Sequence, residues 1–349
     1  DAIYADESIY EYPMQQGGGN DGRPYSFGRP SSGGSKAAYP CKSYGQGRIN
    51  PAYFYGVFDP NDMRRDVSIT MTGSNGKGVE KLIPFVPNSK AEGGGLTLNK
   101  WDENRQANPW VAAQRKSGIN GPYMRMSEVY LGYAEVCAAL GDVVTGKQYL
   151  KTVRERSFPQ GLANTDAFIA SFGNDLVRAI IEERGFEYAG EGDRRWTLIR
   201  SGYLPEDIKR IKDMTKAMMD GLATKGYYEF ENGNIISAYI WTKLVDAKTI
   251  YGHRLTAQCP TDKVNDPVLY PGWRGQKDNW EEMGLNYGSS TPATNLAIKG
   301  LFEIVSEEEA ASLESQGYAK VNWGIDLVDY RDEYDKYLFW DYDYVSAPI

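Results

Sequence analysis

The sequence is nearly devoid of histidine, the side chain on which many hydrolytic and metal sites depend. Its 349 residues contain one histidine, His253, in the segment Tyr-Gly-His-Arg. A single imidazole excludes metal centres built from several histidines and leaves little for a nucleophile–histidine–carboxylate triad. We therefore interpret His253 as a surface or hydrogen-bonded loop histidine.

Cysteine is also scarce, and its positions form no recognisable framework. Cys41, Cys137 and Cys259 include no CxxC pair and are too few for a disulfide scaffold. Cys137 falls on a predicted apolar helix face, where a free cysteine behaves as a small core residue. Whether Cys41 and Cys259 pair stays open, and the redox compartment stays open with it.

Long apolar runs and positive net charge are missing as well. There is no run of about 18 apolar residues, so the sequence predicts no membrane-spanning helix. The formal net charge is −8, which repels phosphate backbones and disfavours nucleic acid as a partner. With 41% hydrophobic and 25% charged residues, the composition is typical of a soluble globular protein.

Tyrosine and glycine, in contrast, are abundant. There are 26 tyrosines and 38 glycines, many in stretches without helical or strand periodicity. Loops rich in both residues make broad, amphipathic surfaces. In residues 1–50, Ile3, Ile9 and Tyr12 favour a short strand, and a long glycine-rich aromatic loop follows. Loops of this length are functional or disordered, and the aromatic residues here argue for order.

Residues 123–222 carry the clearest helical signals. Spacings of four and three residues place five apolar residues on one face of a first helix: Met126, Tyr130, Tyr133, Cys137 and Leu140. Gly141 ends this helix. A second helix turns Leu150 and Val153 inward, and a third begins near Asn174 as its N-cap.

Further elements are predicted on either side of these helices. A short helix runs from about residue 196 to Gly202, and residues 205–222 have helical spacing. Residues 67–72 alternate as a strand, and residues 73–78 close a hairpin-like turn. The latter stretch lacks the spacing of a phosphate-binding loop. Ser306 begins a capping box before a helix that runs to about residue 316.

Acidic residues cluster near arginines between residues 182 and 196. The cluster comprises Glu182, Glu183, Glu187, Glu191 and Asp193. Paired carboxylates can act as general acid and base, but alternation with arginine favours ion pairs and helix capping. We therefore interpret this segment as structural, and Trp196 as a core residue. The aspartate-rich stretches 262–266 and 326–335 do not match a calcium-binding loop, and we interpret them as solvated charge.

Four blocks of sequence resemble the SusD/RagB family of surface nutrient-binding lipoproteins, which sit on TonB-dependent importers. The blocks are FDPNDMRR at 58–65, RMSEVYLGYAE at 125–135, VRER at 153–156 and IEERGFEYAGEGDRRW at 181–196. The resemblance covers roughly residues 1–300 and corresponds to the C-terminal part of a family member. We expect the family's N-terminal helical part and its lipidated cysteine to be absent from this chain.

The resemblance implies a mostly α fold: a tetratricopeptide-like helical scaffold with long irregular loops and a few short strands. Residues 123–156 have the length of one tetratricopeptide unit. We expect four segments: a loop-rich ligand-binding segment with short strands (1–122), a helical core (123–222), an irregular loop-rich segment (223–300), and a C-terminal helix with its tail (301–349).

The loop between residues 20 and 44 is the best candidate for ligand binding. Sugar rings have apolar C–H faces that stack on aromatic rings, while their hydroxyl groups need polar partners. The candidate ligand-binding residues are Asn20, Arg23, Tyr25, Phe27, Tyr39, Lys42 and Tyr44. The alternative is that these tyrosines pack beneath their own loop or against the importer. In the family, ligand contacts come partly from this region.

The resemblance further implies non-catalytic capture of a glycan or oligosaccharide at the extracellular face of the outer membrane. Delivery would be to a SusC/RagA-like TonB-dependent transporter, with membrane attachment only through a lipid anchor. Peptide capture of the RagB type is the alternative. Two further alternatives are weaker: an extracellular glycan hydrolase or lyase, in which Glu187 would be essential, and a purely structural helical scaffold. We expect no catalytic residue and no cofactor, and leave a structural calcium or sodium ion open.

Overall fold

The chain is mainly helical, with short strands attached to the helices. The computed structural model describes residues 7–15, 17–18, 49–74, 80–83, 85, 95–101, 117–246 and 294–329. Within these ranges the predicted mostly α fold with a few short strands is confirmed. The interpretations of His253, Cys41 and Cys259 concern residues outside these ranges. The division into four segments stays a prediction.

The helices begin with a π-helical segment, Tyr53–Val57. The α-helices that follow are α1 (Met63–Ser68), α2 (Met126–Ala139), α3 (Val143–Glu155), α4 (Thr165–Ala170), α5 (Leu176–Glu187), α6 (Asp193–Ser201), α7 (Leu204–Lys225), α8 (Glu307–Ser315) and α9 (Trp323–Asp329). No helix in the described part of the chain is long and apolar enough to cross a bilayer.

The strands are short and pair in small antiparallel sheets. They are β1 (Ser8–Tyr12), β2 (Ile69–Thr70), β3 (Thr72–Ser74), β4 (Glu80–Leu82), β5 (Thr97–Leu98), β6 (Gly121–Arg125), β7 (Tyr227–Glu229), β8 (Ile235–Ser237), β9 (Ile240–Asp246), β10 (Thr294–Lys299) and β11 (Ala319–Val321). β1 pairs with β6, β2 with β5, β3 with β4 and β7 with β8, while β9 lies between β10 and β11.

Helix α2 buries Cys137, as predicted, but otherwise a different face from the one predicted. Its buried side chains are those of Ser127, Leu131, Ala134 and Cys137. Tyr133 and Leu140, which were expected on the inner face, are exposed. Apolar residues lie on several sides of α2, so its periodicity fits more than one face, and packing decides. A Cβ on Gly146 of α3 would lie 3.0 Å from the carbonyl oxygen of Ala134, so the two helices approach closely there.

Helix α5 is the centre of the helical part. Eleven of its twelve residues are buried, so the charged side chains it carries need partners inside the protein. The predicted N-cap was one residue early. Asp175 caps the helix by accepting a hydrogen bond from the backbone N–H of Arg178 at 2.9 Å, whereas Asn174 adopts a left-handed conformation with φ 65°. Leu150 and Val153 of α3 pack in the same core cluster as Ile180, as predicted for the two α3 residues.

A second core gathers aromatic side chains from distant parts of the chain. Its buried aromatic members are Phe54, Tyr55, Phe58, Phe85, Phe186, Phe230 and Trp323. The buried guanidinium carbon of Arg65 lies 5.4 Å from the ring centre of Phe54 and 4.4 Å from that of Phe302. The contact of Phe58 with Phe186 holds the end of the π-helical segment against α5, next to the cavity described below.

Helix and strand ends follow the local signals, with one correction. Gly202 and Gly226 end α6 and α7 with positive φ angles of 77° and 76°, which glycine adopts without strain. Ser306 accepts a hydrogen bond from the N–H of Glu309, as the capping box predicts. Residues 67–68, predicted as strand, belong to α1, because the Asp62 side chain caps a helix there. Beyond them β3 and β4 form an antiparallel pair, in which Gly73 and Ser74, predicted as turn, belong to β3.

Candidate ligand-binding site

The seven residues predicted to bind ligand lie outside the part of the chain that the structure describes. They are Asn20, Arg23, Tyr25, Phe27, Tyr39, Lys42 and Tyr44. Their role therefore stays a prediction. The described residues place a different set of aromatic and charged side chains around a cavity, and that set defines the candidate site.

The cavity has a volume of about 740 Å³ and lies beside α5, α6 and β6. Among the described residues, four aromatic ones contribute to its wall: Tyr53 from the π-helical segment, Trp101 after β5, Tyr123 on β6 and Tyr188 just after α5. Its size lies within the range of about 300–1,000 Å³ that small-molecule sites usually have. Of these four aromatic residues, Tyr188 belongs to the core cluster of Leu150 and Val153, and Tyr53 packs against the aromatic core.

Arg125 connects β6 to the end of α5 across this cavity. Its guanidinium donates to Glu187 Oε1 at 2.5 Å, to the carbonyl oxygen of Glu187 at 2.8 Å, and to both carboxylate oxygens of Glu191 at 2.9 and 3.1 Å. Glu7, before β1, accepts from the same guanidinium at 2.9 Å. Because every one of these bonds is charge-assisted, β1, β6 and α5 are held at fixed positions.

Glu187 is buried and surrounded by cations. Arg64 donates to it at 3.0 Å, and Arg125 and Arg156 donate to its other carboxylate oxygen. Burial by itself raises the pKa of Glu187, but Arg64, Arg125 and Arg156 outweigh burial and hold the pKa far below its ordinary value of 4.5. The carboxylate therefore stays ionised, which is unsuited to a general acid.

A second ionic network joins α5 to α6 and α7. Arg194 donates to Glu182 at 2.8 Å and to Asp207 at 3.0 Å. Burial raises the pKa of Asp207, but Arg194 and Arg210 reverse this and lower it. Gly185 leaves room for this arrangement, because a Cβ there would lie 2.8 Å from the Arg194 guanidinium.

The other acidic residues of the motif are paired in the same way. Arg154 donates to Glu183 at 2.9 Å, and Arg184 donates to Asp193 at 2.5 Å. The sequence interpretation of this segment as ion pairs is therefore confirmed, whereas helix capping is not: α6 begins after Gly192, with no side chain as its cap. The interpretation of Trp196 as a core residue is wrong: its side chain is 68% exposed, because α6 turns Thr197 and Leu198 inward instead.

Tyr53, which is partly buried, and Tyr188, which is buried, are neutral hydrogen-bonding groups of the cavity wall. The Tyr53 hydroxyl donates to the carbonyl oxygen of Gly185 at 3.3 Å, and the Tyr188 hydroxyl donates to Ser127 Oγ at 3.1 Å. Burial raises the pKa of both tyrosines above the ordinary value of 10.0. Both phenols therefore stay protonated at neutral pH.

Three exposed tyrosines, here named the tyrosine face, lie at one side of the cavity. Tyr10 and Tyr12 alternate along β1, and Tyr123 lies on the neighbouring strand β6. Their ring centres are 5.7 to 6.0 Å apart and each pair is arranged edge to face. The side chains of Tyr10, Tyr12 and Tyr123 are 53%, 47% and 65% exposed. Tyr123 belongs both to the tyrosine face and to the cavity wall.

Sequence reasoning placed Tyr12 in a strand but assigned no ligand contact to the tyrosine face. The available signal was the Tyr10–Tyr12 pair two residues apart, since alternate residues of a strand point to the same side. Tyr123 joins them only through the pairing of β1 with β6, which links residues far apart in sequence. That pairing has no local sequence signature.

Metal ligands are not gathered anywhere in the described ranges. Within them, no group of three or more histidine, cysteine, aspartate or glutamate side chains is placed to hold a metal ion. Burial and the neighbouring Asp329 raise the pKa of Asp326, at the start of the second aspartate-rich stretch. A structural calcium or sodium ion stays a prediction.

The chain belongs to the SusD family, whose sequence model matches residues 4–271. The four motif blocks predicted this membership. It is similar to SusD-like protein P25 of Formosa agariphila, with 28% identity over 160 residues. That alignment covers 46% of this chain and 26% of the relative.

Solved structures with a similar chain include a SusD homologue from Bacteroides thetaiotaomicron. The two sequences share 19% identity, the alignment covers 61% of this chain and 44% of the homologue, and the TM-score is 0.41. A second similar structure is that of surface glycan-binding protein A from Bacteroides thetaiotaomicron in complex with laminarihexaose. The two sequences share 19% identity, the alignment covers 57% of this chain and 44% of that protein, and the TM-score is 0.39. The chain thus spans less than half the length of these relatives.

Proposed function

We propose that this chain is part of a cell-surface protein that captures a glycan or oligosaccharide without cleaving it. Captured ligand is passed to a SusC/RagA-like TonB-dependent transporter at the extracellular face of the outer membrane. Attachment to that membrane is through a lipid anchor. The observation that carries the proposal is membership of the SusD family over residues 4–271.

The charged groups around the cavity support binding over catalysis. Glycoside hydrolysis needs two carboxyl groups, of which one is protonated and donates its proton to the leaving group. Glu187, which pairs with Arg125 of the cavity wall, is held ionised by its arginine neighbours, as its lowered pKa indicates. In the ionic networks described above, the acidic side chains hold helices together, so a proton transfer would break a structural contact.

Aromatic side chains support a carbohydrate as the ligand. Each stacking contact contributes about 0.5–1.5 kcal/mol if it behaves like an aromatic pair. Two or three contacts with a few hydrogen bonds give about 4–8 kcal/mol, which corresponds to dissociation constants from millimolar to micromolar. That range suits capture followed by release to a transporter. We propose that the seven residues between Asn20 and Tyr44 contribute such contacts.

Titration calorimetry of the folded protein against a panel of polysaccharides and peptides tests this function. We expect saturable binding to at least one glycan and no release of reducing sugar during prolonged incubation. Tight binding to peptides with no glycan binding would replace this proposal with peptide capture. Release of reducing ends that Glu187→Ala abolishes would establish a hydrolase or lyase.

Delivery to the importer needs its own experiment. The tagged protein, purified from outer membranes in mild detergent, is expected to bring a TonB-dependent transporter in stoichiometric amount, identified by mass spectrometry. Recovery of the tagged protein from the membrane without such a transporter would contradict delivery while leaving glycan binding intact.

A further inference from the structure

The tyrosine face has the properties of a binding surface. Tyr10, Tyr12 and Tyr123 hold one another edge to face, so their rings lose little conformational freedom when a ligand arrives. About half of each side chain is nevertheless exposed. A tyrosine presents an apolar ring and a hydroxyl group together, which matches the C–H face and the hydroxyl groups of a sugar ring.

The tyrosine face continues directly into the cavity. Tyr123 contributes to both, and the cavity extends from it towards Trp101 and Tyr188. A ligand that contacts Tyr10 and Tyr12 can therefore reach the cavity without leaving protein surface. The cavity volume of about 740 Å³ is large for a single sugar ring and favours a ligand of several linked units.

The charges on the cavity wall cancel among the residues that the structure describes. Three arginines line it (Arg125, Arg194 and Arg195) together with three acidic residues (Glu128, Glu191 and Asp193). Arg125 pairs with Glu191, Arg184 pairs with Asp193, and Arg194 pairs with Glu182 and Asp207 behind the wall. The described part of the wall has no excess of either sign with which to select an anionic ligand.

We infer that the tyrosine face and the adjoining cavity together bind a neutral oligosaccharide, with one sugar ring on Tyr10 and Tyr123 and the following units in the cavity. This inference rests on the proposed function and narrows it in two ways. The ligand is an oligomer, and it is uncharged. Uronate-containing and sulfated glycans are therefore poor ligands for this site.

The test uses defined hexasaccharides and single-residue variants of the full chain. The neutral probes are laminarihexaose, maltohexaose, cellohexaose, xylohexaose and mannohexaose, and the acidic probes are hexamers of galacturonate and mannuronate. The variants are Tyr10→Ala, Tyr123→Ala and Tyr123→Phe. Tyr133→Ala is the matched control, because Tyr133 is a similarly exposed tyrosine on α2 that does not line the cavity.

We expect a neutral hexasaccharide to bind more tightly than its disaccharide and than either acidic probe. Tyr10→Ala and Tyr123→Ala should each weaken this binding by about 2- to 13-fold, the range for one aromatic contact. Tyr123→Phe keeps the ring and should lose less affinity than Tyr123→Ala. Tyr133→Ala should bind the hexasaccharide with the affinity of the wild type. Circular dichroism and the unfolding midpoint of each variant check that it is folded.

The outcomes separate the inference from the proposed function. If the wild type binds a glycan but both alanine variants bind it equally well, the tyrosine face is not the site, while glycan capture stands. Tighter binding of an acidic hexamer than of the neutral hexasaccharides would overturn the inference that the ligand is uncharged. If the wild type binds none of the probes or longer polysaccharides, the proposed function fails and the inference fails with it. Loss of peptide binding in the alanine variants would assign the face to peptides instead.

Discussion

Replacing Glu187 by glutamine tests whether the ionic network at the end of α5 holds the fold together. The substitution keeps the shape of the side chain and removes its charge. It leaves Arg64, Arg125 and Arg156 facing a neutral amide in a site where Glu187 itself is 4% exposed. The arginines keep other acidic partners, including Asp62, Glu183 and Glu191, so part of their stabilisation remains.

The expected loss of stability follows from this geometry. Removing one partner of a buried ion pair costs about 3–5 kcal/mol, because the remaining charge stays buried without compensation. The other acidic partners reduce that loss, so we expect Glu187→Gln to lower the free energy of unfolding by about 2–4 kcal/mol. Urea unfolding followed by circular dichroism measures the difference, with the slope m checked for constancy between variants.

Asp213→Asn is the matched control for this experiment. It makes the same change from carboxylate to amide on α7, where Asp213 pairs with Lys209 and the two side chains are 64% and 67% exposed. Exposed pairs contribute about 0–1 kcal/mol, so the control should scarcely change stability. A loss below about 1 kcal/mol for Glu187→Gln, equal to that of the control, would refute the structural role assigned to Glu187.

Three further predictions concern acidity and helix packing. The pKa of Glu187 is depressed in the folded state, so its contribution to stability should be present above its ordinary pKa of 4.5 and be lost as the pH falls below that value. The urea midpoint should therefore fall more steeply with acidification for the wild type than for Glu187→Gln. Leu131→Ala should lower the free energy of unfolding by about 2–5 kcal/mol, because Leu131 is buried. Leu140→Ala should lower it by less than about 0.5 kcal/mol, because Leu140 is 82% exposed. Equal losses would contradict the assigned face of α2. Gly132→Ala should stabilise the protein by about 0.5–1 kcal/mol, because nothing lies near the position of the added Cβ. Gly146→Ala should lower the thermal midpoint, because the added Cβ would press on Ala134. A higher thermal midpoint for both variants would contradict the close approach of α2 and α3.

Local signals in the sequence were enough to locate most helices. Leu150 and Val153 were predicted to face inward and are buried, and Gly202 ends α6 as expected. The acidic and basic residues of α5 were interpreted correctly as ion pairs, because their alternation in sequence is what a buried, fully paired helix requires. These features depend on residues close in sequence, and a local pattern is sufficient to predict them.

Features that depend on distant partners were predicted less well. The buried face of α2 was misassigned because apolar residues lie on several sides of that helix, and the packing of α3 and α5 selects one of them. Trp196 was placed in the core, but α6 turns Thr197 and Leu198 inward instead. The tyrosine face was missed entirely, because Tyr123 reaches Tyr10 and Tyr12 only through strand pairing over a long sequence separation.

Capture of a glycan without cleavage is tested most directly by titrating the wild-type protein with neutral hexasaccharides while assaying the same samples for new reducing ends. The account predicts saturable heats with a dissociation constant between about 1 μM and 1 mM for at least one hexasaccharide, and a reducing-end count that does not rise. A folded protein that gives no heat with any glycan, or one that steadily releases shorter sugars, would contradict it.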